Sequence, residues 1–533
     1  MDDVNYKVLI TTSGTGSRLS ELTKYINKAL VKIGNKPAIS YIIEAYPKEV
    51  PLVVTIGYLA EQVKEFLLMA YPDRKFEFVQ VYNYEGPGTS LGLSMLQAEQ
   101  NLQCPFIFHC CDTIVTEDIP EPTKNWIGGY VMNKEITELP WSQYRTHKVV
   151  DGKVVRLNEK GDPDFESAHV GLVGINDYAS FWKTLREIYE ADKENICHSD
   201  VHVIAKMIKS GINFELAPYQ TWLDTGNMDS LERAKNYFSK DSFIVLEKAE
   251  QSIYFFDDFV IKFFADEELL NNRVRRGEIL KNLVPETEEV GKNFYKYKFI
   301  KGDLFADVAN EENITDFLQW AKSNLWQEVK EVGDDKFKDA CREFYYNKTK
   351  ERLQNLFASN TVEDKVDIIN GEEIPSIYEL LEKVDFDWLT NSKQTNFHGD
   401  LVLDNVLKTE GGWCLLDWRQ DFGGLLQAGD MYYDLAKFNH NLTVNHDIID
   451  QDKFTLDIME DKINIDIERK DNLVASQKSF FKYLKNNGHD VSKVRILTAI
   501  IWLNMSPLHH NPFNKFLFYL GKLNLWKELN QNK

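Results

Sequence analysis

The chain has 533 residues, and at roughly 150 residues per domain that length suggests about three or four compact units. A composition of 43% hydrophobic and 27% charged residues excludes a disordered or fibrous protein. The formal net charge of −21 argues against binding to nucleic acid or to an anionic membrane, but not against nucleotide substrates, which need only a few local cations and N–H groups.

The N-terminus, MDDVNYKVLI, is acidic and runs straight into a strand, without the basic segment and apolar core of a signal peptide. No run approaches the ~18 apolar residues that span a bilayer. The sequence thus predicts a cytoplasmic protein with no membrane partner. Short β-branched runs then alternate with helical stretches up to about residue 238: YKVLITT, LVVTIGY, KFEFVQVY, FIFHCCDTIV and SAHVGLVGI, with AEQVKEFLLMA and SLGLSMLQAEQNL between them. That alternation predicts a mostly parallel sheet covered on both faces, closed by a helix over Asp229–Asn236. The six cysteines are scattered without metal-ligand spacing and read as free thiols. Adjacent Cys110 and Cys111 lie in a strand and should face opposite sides of the sheet.

From about Asp241 the pattern changes. SFIVLEKAE, QSIYFFDD and FVIKFFADE read as consecutive antiparallel strands, followed by a helix (RRGEILKNLV) and a strand pair (EEVGKNFYKYKFI). Beyond Ile314 the chain reads as largely helical, interrupted by a hairpin-like stretch from Asn396 to Asp417. The junction YFSKDSF is short and has neither Pro nor Gly, so the two halves should sit close together.

Two clusters carry chemistry. After the first strand comes Ser13-Gly14-Thr15-Gly16-Ser17-Arg18, whose glycines let bare N–H groups approach phosphate oxygens beside a guanidinium. Ten residues on is Lys28, and eight further Lys36-Pro37. This register resembles the sugar-phosphate nucleotidyltransferase family, which opens GxG(S/T)R, then KPL, then GKP; Asn27, Ala29 and Asn35 depart from it without removing a charge. The resemblance continues through CDT (Cys111–Thr113), NEKG (Asn158–Gly161), AHVGLVGI, HSD (His198–Asp200) and TWLDTGN. It implies a Rossmann-like mixed sheet over residues 1–238 and an NTP substrate. Gly14, Thr15, Gly16, Ser17 and Arg18 would cradle the triphosphate, with Lys28 against its phosphates. Asp112 and Asp224 would hold Mg²⁺, Glu159 and Lys160 would face the acceptor phosphate, and Gly88, in the stretch Tyr82–Leu91, would lie against the nucleoside. The residues do not name the base; the compact size resembles cytidylyltransferases, leaving CTP or UTP.

The second cluster is His398-Gly399-Asp400-Leu401-Val402-Leu403-Asp404-Asn405, followed by Leu415-Leu416-Asp417-Trp418. Phosphoryl transfer from ATP to an alcohol needs a carboxylate that orients the hydroxyl and ligands for the bridging metal. An Asp and an Asn five apart, then an Asp at the next strand, is the kinase arrangement. The HGDxxxxN form resembles the aminoglycoside phosphotransferase and choline kinase superfamily. That implies a two-lobed, protein-kinase-like α+β domain, with an N-lobe over 239–305 and a mostly helical C-lobe over 306–533. By the resemblance Asp400 is the base, Asn405 and Asp417 are Mg²⁺ ligands, and His398 supports the loop. Lys262 in FVIKFF would reach the ATP phosphates and pair with Glu278, and Asp430 and Asp434 would be structural acids. Two features depart from the pattern: the turn Ala249–Ser252 has no glycine, and Arg419-Gln420-Asp421 replaces the WEY common in choline kinases. With 13% aromatic residues, a cage for a quaternary amine is one use of the rings and ordinary core the other. Together the halves read as a bifunctional enzyme. One half phosphorylates a small hydroxylated compound, and the other couples that phosphate to a nucleoside monophosphate; a homo-oligomer is left open.

Overall fold

The computed structural model describes residues 5–131, 141–195, 197–241, 243, 249–445, 448, 451–460 and 462–531. The strand expected over SFIVLEKAE falls almost wholly outside them. The chain divides into two compact units, Met1–Glu267 with Glu288–Phe299, and Glu268–Thr287 with Ile300–Lys533. No helix among the described residues is long and apolar enough to cross a membrane.

The first unit is built on β1 (Lys7–Thr11), β2 (Leu52–Ile56), β3 (Phe76–Gln80), β4 (Phe106–Cys110), β5 (Trp126–Tyr130), β6 (Thr146–Val150), β7 (Lys153–Asn158), β8 (Ser167–Ile175) and β9 (Glu215–Tyr219). They form one nine-stranded sheet in the order β3-β2-β1-β4-β8-β5-β9-β7-β6. The β3, β2, β1 and β4 strands are parallel, while β8 runs antiparallel to both β4 and β5. The sheet is therefore mixed. Residues LVVTI of β2 are buried throughout, as a strand covered on both faces must be. Alternation decides which face each side chain meets: Val8, Ile10 and Val54 join α1 (Ala38–Glu44) and α2 (Ala60–Ala70) in one core. Leu9 and Val53 meet α3 (Leu91–Gln97), α4 (Tyr178–Ala191) and α5 (Asp200–Lys209) on the other. Cys111 lies in the first core and Cys110 packs beside the second, so the adjacent thiols face opposite ways, and all six cysteines are free. Helix α6 (Met228–Phe238) follows the last site strand.

A four-stranded sheet of β10 (Gln251–Phe255), β11 (Phe259–Phe264), β12 (Thr287–Val290) and β13 (Phe294–Lys298) has the order β10-β11-β13-β12. Its Tyr254, Phe256, Ile261, Phe263 and Phe294 belong to the same core as Phe66 of α2. Tyr254 Oη donates to the Leu30 carbonyl at 2.6 Å. Glu65 of α2 accepts the backbone N–H groups of Asn293 and Phe294 at 3.0 Å each. Satisfying β13 from a helix of the nine-stranded sheet makes the small sheet part of this unit.

The second unit is mostly helical. It contains α7 (Glu267–Ile279), α8 (Glu311–Asn324), α9 (Met431–Thr443), α10 (Asp471–Asn486), α11 (Val491–Met505) and α12 (Phe513–Gln531). The expected hairpin is β14 (Val406–Thr409) with β15 (Gly412–Leu415), paired Val406 to Leu415 and Leu407 to Cys414. A second sheet, of Asp367–Ile369, Glu372–Ile374, Phe454–Met459 and Lys462–Ile467, interrupts a region read as helical. Its strands KINIDI and FTLDIM alternate apolar and polar residues, a period-two signal that the helical reading passed over.

Candidate functional site

In the first unit β1 runs into the glycine turn. Gly16 has φ 68°, and a Cβ there would lie 2.9 Å from the Lys28 Cβ, so only glycine lets the turn press against the lysine loop. Asn27, where the family has proline, holds that loop. Its side chain accepts from Ala29 N–H at 2.9 Å and donates to the carbonyls of Thr12 and Tyr58 at 3.0 and 2.7 Å. The departure from proline thus buys a three-way staple between the lysine turn and the end of β1.

Lys28 Nζ lies 3.2 Å from Asp112 Oδ2, at the end of β4. Asp224 sits on a two-residue strand, its backbone paired with Thr113, and Thr225 N–H donates to the Asp112 carbonyl at 2.9 Å. Gly226 marks where the groups converge. A Cβ on it would be 3.1 Å from Asp224 Oδ1, 3.2 Å from Asp112 Oδ2 and 3.3 Å from an Arg18 nitrogen. The two carboxylates and the guanidinium therefore surround one small space. Burial alone would push the Lys28 ammonium down, but the Asp112 carboxylate outweighs it and holds it above its ordinary range. Burial pushes Asp112 up; Lys28, a hydrogen bond from Cys110 and Arg18 bring it down to about 2. Burial and the charge of Asp112 push Asp224 up.

Sequence reading missed the groups that fix Asp224. Tyr144 Oη and Ser230 Oγ donate to its Oδ2 at 2.9 and 3.0 Å, and Gly226 N–H to its Oδ1 at 2.9 Å. Asn227 caps α6 by accepting from Ser230 N–H at 3.1 Å, which sets that hydroxyl in place. Ser230 lies six residues from Asp224 on the first turn of α6, a spacing that could have flagged it; nothing in the sequence marks Tyr144. The AHVG and HSD motifs also meet: His169 Nε2 is 3.1 Å from Asp200 Oδ2. Thr15 is half-buried and Ser17 exposed in the turn, and Gly88 has φ 79° in the loop before α3, whose N-cap Ser90 accepts from Leu93 N–H at 3.0 Å. Glu159 and Lys160 lie exposed after β7, where Glu159 pairs with Arg145 at 2.7 Å.

In the second unit the loop His398–Asn405 is held from inside. Asp434, fully buried on α9, accepts the backbone N–H groups of His398 at 2.8 Å and Gly399 at 2.7 Å, and the Trp326 indole N–H at 3.1 Å. Burial, only partly offset by these donors, pushes Asp434 up to about 6. Asp430 caps α9 through Tyr432 N–H at 2.9 Å and accepts from Tyr345 Oη at 2.8 Å. His398 receives Asp400 N–H on Nδ1 at 3.2 Å, so its Nε2 donates to the Leu416 carbonyl at 2.8 Å. Burial lowers its pKa to about 4, so the ring is neutral and structural. Asn405 Nδ2 donates to the Asp400 carbonyl at 2.9 Å, which leaves its Oδ1 outside that bond as an oxygen donor.

Both carboxylates of this site are ion-paired. Lys437 Nζ lies 2.7 Å from Asp400 Oδ1. Burial pushes Asp400 up, and Lys437 overrides it, bringing the group to about 2. Arg273 of α7 lies 2.8 Å from Asp417 Oδ1. Lys437 was legible in principle: it follows Asp434 by three residues, hence on the same face of α9. Lys262 is buried in β11, within the first unit. Glu278 is exposed on α7, in the second unit. Arg273, Arg276 and Leu280 form the buried stripe of α7, and position 278 falls on the opposite side of that helix. Arg276, fully buried, donates to the carbonyls of Arg419 at 3.3 Å, Leu426 at 2.9 Å and Phe397.

Residues 336–451 match the family model described as the phosphotransferase enzyme family. The first part of the chain is 26% identical over 247 residues to the Bifunctional protein GlmU of Methanococcus vannielii, covering 44% of this chain and 55% of that protein. The two parts of the chain thus match different proteins, the first GlmU and the later residues the phosphotransferase enzyme family model. The chain spans about half the length of that curated relative. Among solved structures, it is similar to a glucose-1-phosphate thymidylyltransferase of Bacillus anthracis at 16% identity and TM-score 0.37, covering 46% of this chain and 98% of the other. Against the CTP:phosphocholine cytidylyltransferase of Streptococcus pneumoniae the values are 16%, 0.35, 44% and 99%. The phosphotransferase-family match takes in Asp400, Asn405, Asp417, Asp430, Asp434 and Lys437.

Among the described residues no group of three or more His, Cys, Asp or Glu could hold a metal. Two carboxylates facing one space fit Mg²⁺, which keeps waters and takes its remaining oxygens from substrate phosphates. Burial and the neighbouring Asp112 charge raise Asp224, and a divalent cation would offset both. Asn405 Oδ1 and Asp417 are oxygen donors of the same kind in the phosphotransferase-family domain.

Proposed function

We propose that the chain is a bifunctional enzyme. Its phosphotransferase-family domain, with residues 239–305 as N-lobe and 306–533 as C-lobe, transfers the γ-phosphoryl group of ATP to a hydroxyl of a small metabolite. The hydroxyl oxygen bonds to phosphorus, the bridge to the β-phosphate breaks, ADP leaves and Asp400 takes the proton. The nucleotidyltransferase region, residues 1–238, then lets that new phosphate attack the α-phosphorus of CTP or UTP, and pyrophosphate leaves. Both reactants of the second step are anions, so positioning and charge neutralisation carry the catalysis. Gly14, Thr15, Gly16 and Ser17 offer N–H groups to the triphosphate, Arg18 and Lys28 its countercharge, Gly88 a close approach for the nucleoside, and Glu159 and Lys160 the acceptor side. Mg²⁺, held by Asp112 and Asp224 in one site and by Asn405 and Asp417 in the other, would supply neutralisation of the phosphate charge. Lys262 would reach the ATP phosphates. An NDP- or CDP-activated building block for a surface polysaccharide is the product this sequence of steps would give.

The observation that carries the reading is the convergence of Asp112, Asp224 and Arg18 on Gly226, with Lys28 against Asp112. Phosphorus NMR with Mg²⁺, ATP, each of CTP, UTP, GTP and dTTP, and a panel of alcohols tests it. Pyrophosphate formed with one pyrimidine triphosphate, and only with ATP and one alcohol present, is the expected result; pyrophosphate from no triphosphate rejects it. A second reading has a specific observation behind it. Asp400 and Asp417 are each occupied by a cation of the chain itself, as a non-catalytic binding or regulatory module would have them. Under that reading Asp400→Asn leaves every reaction rate unchanged.

A further inference from the structure

Four cations gather around the proposed base of the phosphotransferase-family domain. Lys437 pairs with Asp400 at 2.7 Å. Arg419 packs against the same loop: its N–H donates to the His398 carbonyl at 2.9 Å, and its Cβ lies 2.6 Å from where a Cβ on Gly399 would stand. Lys348 and Arg419 sit over one aromatic ring, Phe344, at 4.6 and 4.8 Å from its centroid. Arg352 lies one helical turn after Lys348, so it shares that face, and it is anchored by a bond to the Asn504 carbonyl at 3.1 Å.

The chain supplies little negative charge to match them. Asp400 is taken by Lys437, and Asp421, which accepts from Gly424 N–H at 3.0 Å, is a carboxylate that acts on Lys348. Arg419 Nε is buried with no hydrogen-bond partner among the described residues. Burial, then Arg419 and Arg352, push the Lys348 ammonium down to about 7, which is how a cation crowded by cations behaves. The aromatic side of the site is also spoken for. Phe344 packs edge-on against Tyr433 at 4.8 Å and near Phe422 at 4.7 Å, but its face meets the chain's own lysine and arginine. A quaternary amine would have to displace two charges of its own sign to use that ring.

We propose that Lys348, Arg352 and Arg419 form the acceptor subsite and that the acceptor is a hydroxylated anion, a carboxylate or phosphate ester, rather than an amino alcohol or an uncharged polyol. The proposal rests on Asp400 being the base that meets the acceptor hydroxyl. The anion would sit on the three cations while its hydroxyl reaches Asp400. A planar guanidinium pair suits either a carboxylate or a phosphate.

The test is calorimetric titration of the full chain with Mg²⁺ and a non-hydrolysable ATP analogue. The ligands are D-glycerate and gluconate, glycerol 3-phosphate and glucose 6-phosphate, glycerol and glucose, and choline and ethanolamine. At least one anionic series binds, its uncharged counterpart binds weaker by on the order of 10-fold or more, and the amino alcohols do not bind. Lys348→Met and Arg352→Met each weaken the anion by about 10-fold and leave the affinity for the ATP analogue unchanged, while Lys348→Arg restores binding. The carboxylate and phosphate arms identify which anion is taken. Equal or tighter binding of an amino alcohol or neutral polyol overturns the proposal, as does unchanged anion binding in both Lys348→Met and Arg352→Met, a loss of ATP-analogue binding in its place, or no anion binding at all. ADP release is followed separately. An anion that binds and is never phosphorylated leaves the subsite standing and removes the kinase reading.

Discussion

In the first unit Asp112 and Asp224 stand side by side around Gly226 and only Asp112 has an ion-pair partner among the described residues, Lys28, whereas in the second unit Asp400 and Asp417 each hold a cation of their own. In the first arrangement burial, and after it the charge of Asp112, raises Asp224, and a divalent cation would offset both. In the second both carboxylates are ion-paired, so a metal there would compete with Arg273 for Asp417. A carboxylate held by a cation gives up part of that partner's energy on binding a metal, while Asp224, which has no ion pair among the described residues, gives up none. The first site should therefore bind Mg²⁺ more tightly than the second.

The sharpest way to separate the two is to remove one carboxylate from each. Asp112→Ala is expected to lower pyrophosphate release by roughly 1,000-fold or more with ADP formation intact, and Asp400→Asn to abolish ADP formation while pyrophosphate release persists when the phosphorylated acceptor is supplied, measured by phosphorus NMR on folded protein. Parallel losses of both activities from either change would erase the distinction. Next in size is Arg276→Met, which strands the carbonyls of Phe397, Arg419 and Leu426. A loss of roughly 3 kcal/mol in the unfolding of the second unit is expected, read from denaturant melts.

Asp434 gives a pH test of how the His398 loop is held. Its folded-state value, about 6, lies above that of an unfolded aspartate, so the folded chain binds the proton more tightly and stability falls as pH rises from about 4 to 6. Asp434→Asn removes that dependence. Relative to wild type the variant should gain up to roughly 3 kcal/mol between pH 4 and pH 7; a constant difference would show that Asp434 does not titrate there. The smallest effect is expected from Tyr144→Phe, which deletes one of three bonds to Asp224. Pyrophosphate release should fall by about 5- to 10-fold, with a weaker Mg²⁺ dependence and no change in ADP release.

Much of this was legible in the sequence, and the parts that were not share a cause. The parallel strands around β1 were readable because each is a short apolar-rich run with helices between, buried in β1, β2 and β4 and half-buried in the edge strand β3. The strands Trp126–Tyr130 and Glu215–Tyr219 were not: the first carries two glycines and the second a proline, so neither has the β-branched signature. Asp112, Asp224, Asp400 and Asp417 stood out because their chemistry fixes local motifs. Their partners did not, since Tyr144, Arg273, Lys348 and Arg352 reach the sites from elements distant in the chain, and only packing brings them there. Glu278 was singled out because a helix after a lysine strand invites an acidic partner, and the apolar and arginine stripe of α7 turns that position outward.

The most direct measurement is phosphorus NMR on the wild type and Asp400→Asn, each with Mg²⁺, ATP, CTP or UTP, and the acceptor, with and without its phosphorylated form supplied. We expect wild type to release ADP first and pyrophosphate after it, and Asp400→Asn to release pyrophosphate only when the phosphorylated acceptor is added. Pyrophosphate formed by wild type without ATP and with unphosphorylated acceptor, or an Asp400→Asn time course identical to wild type, would contradict the account.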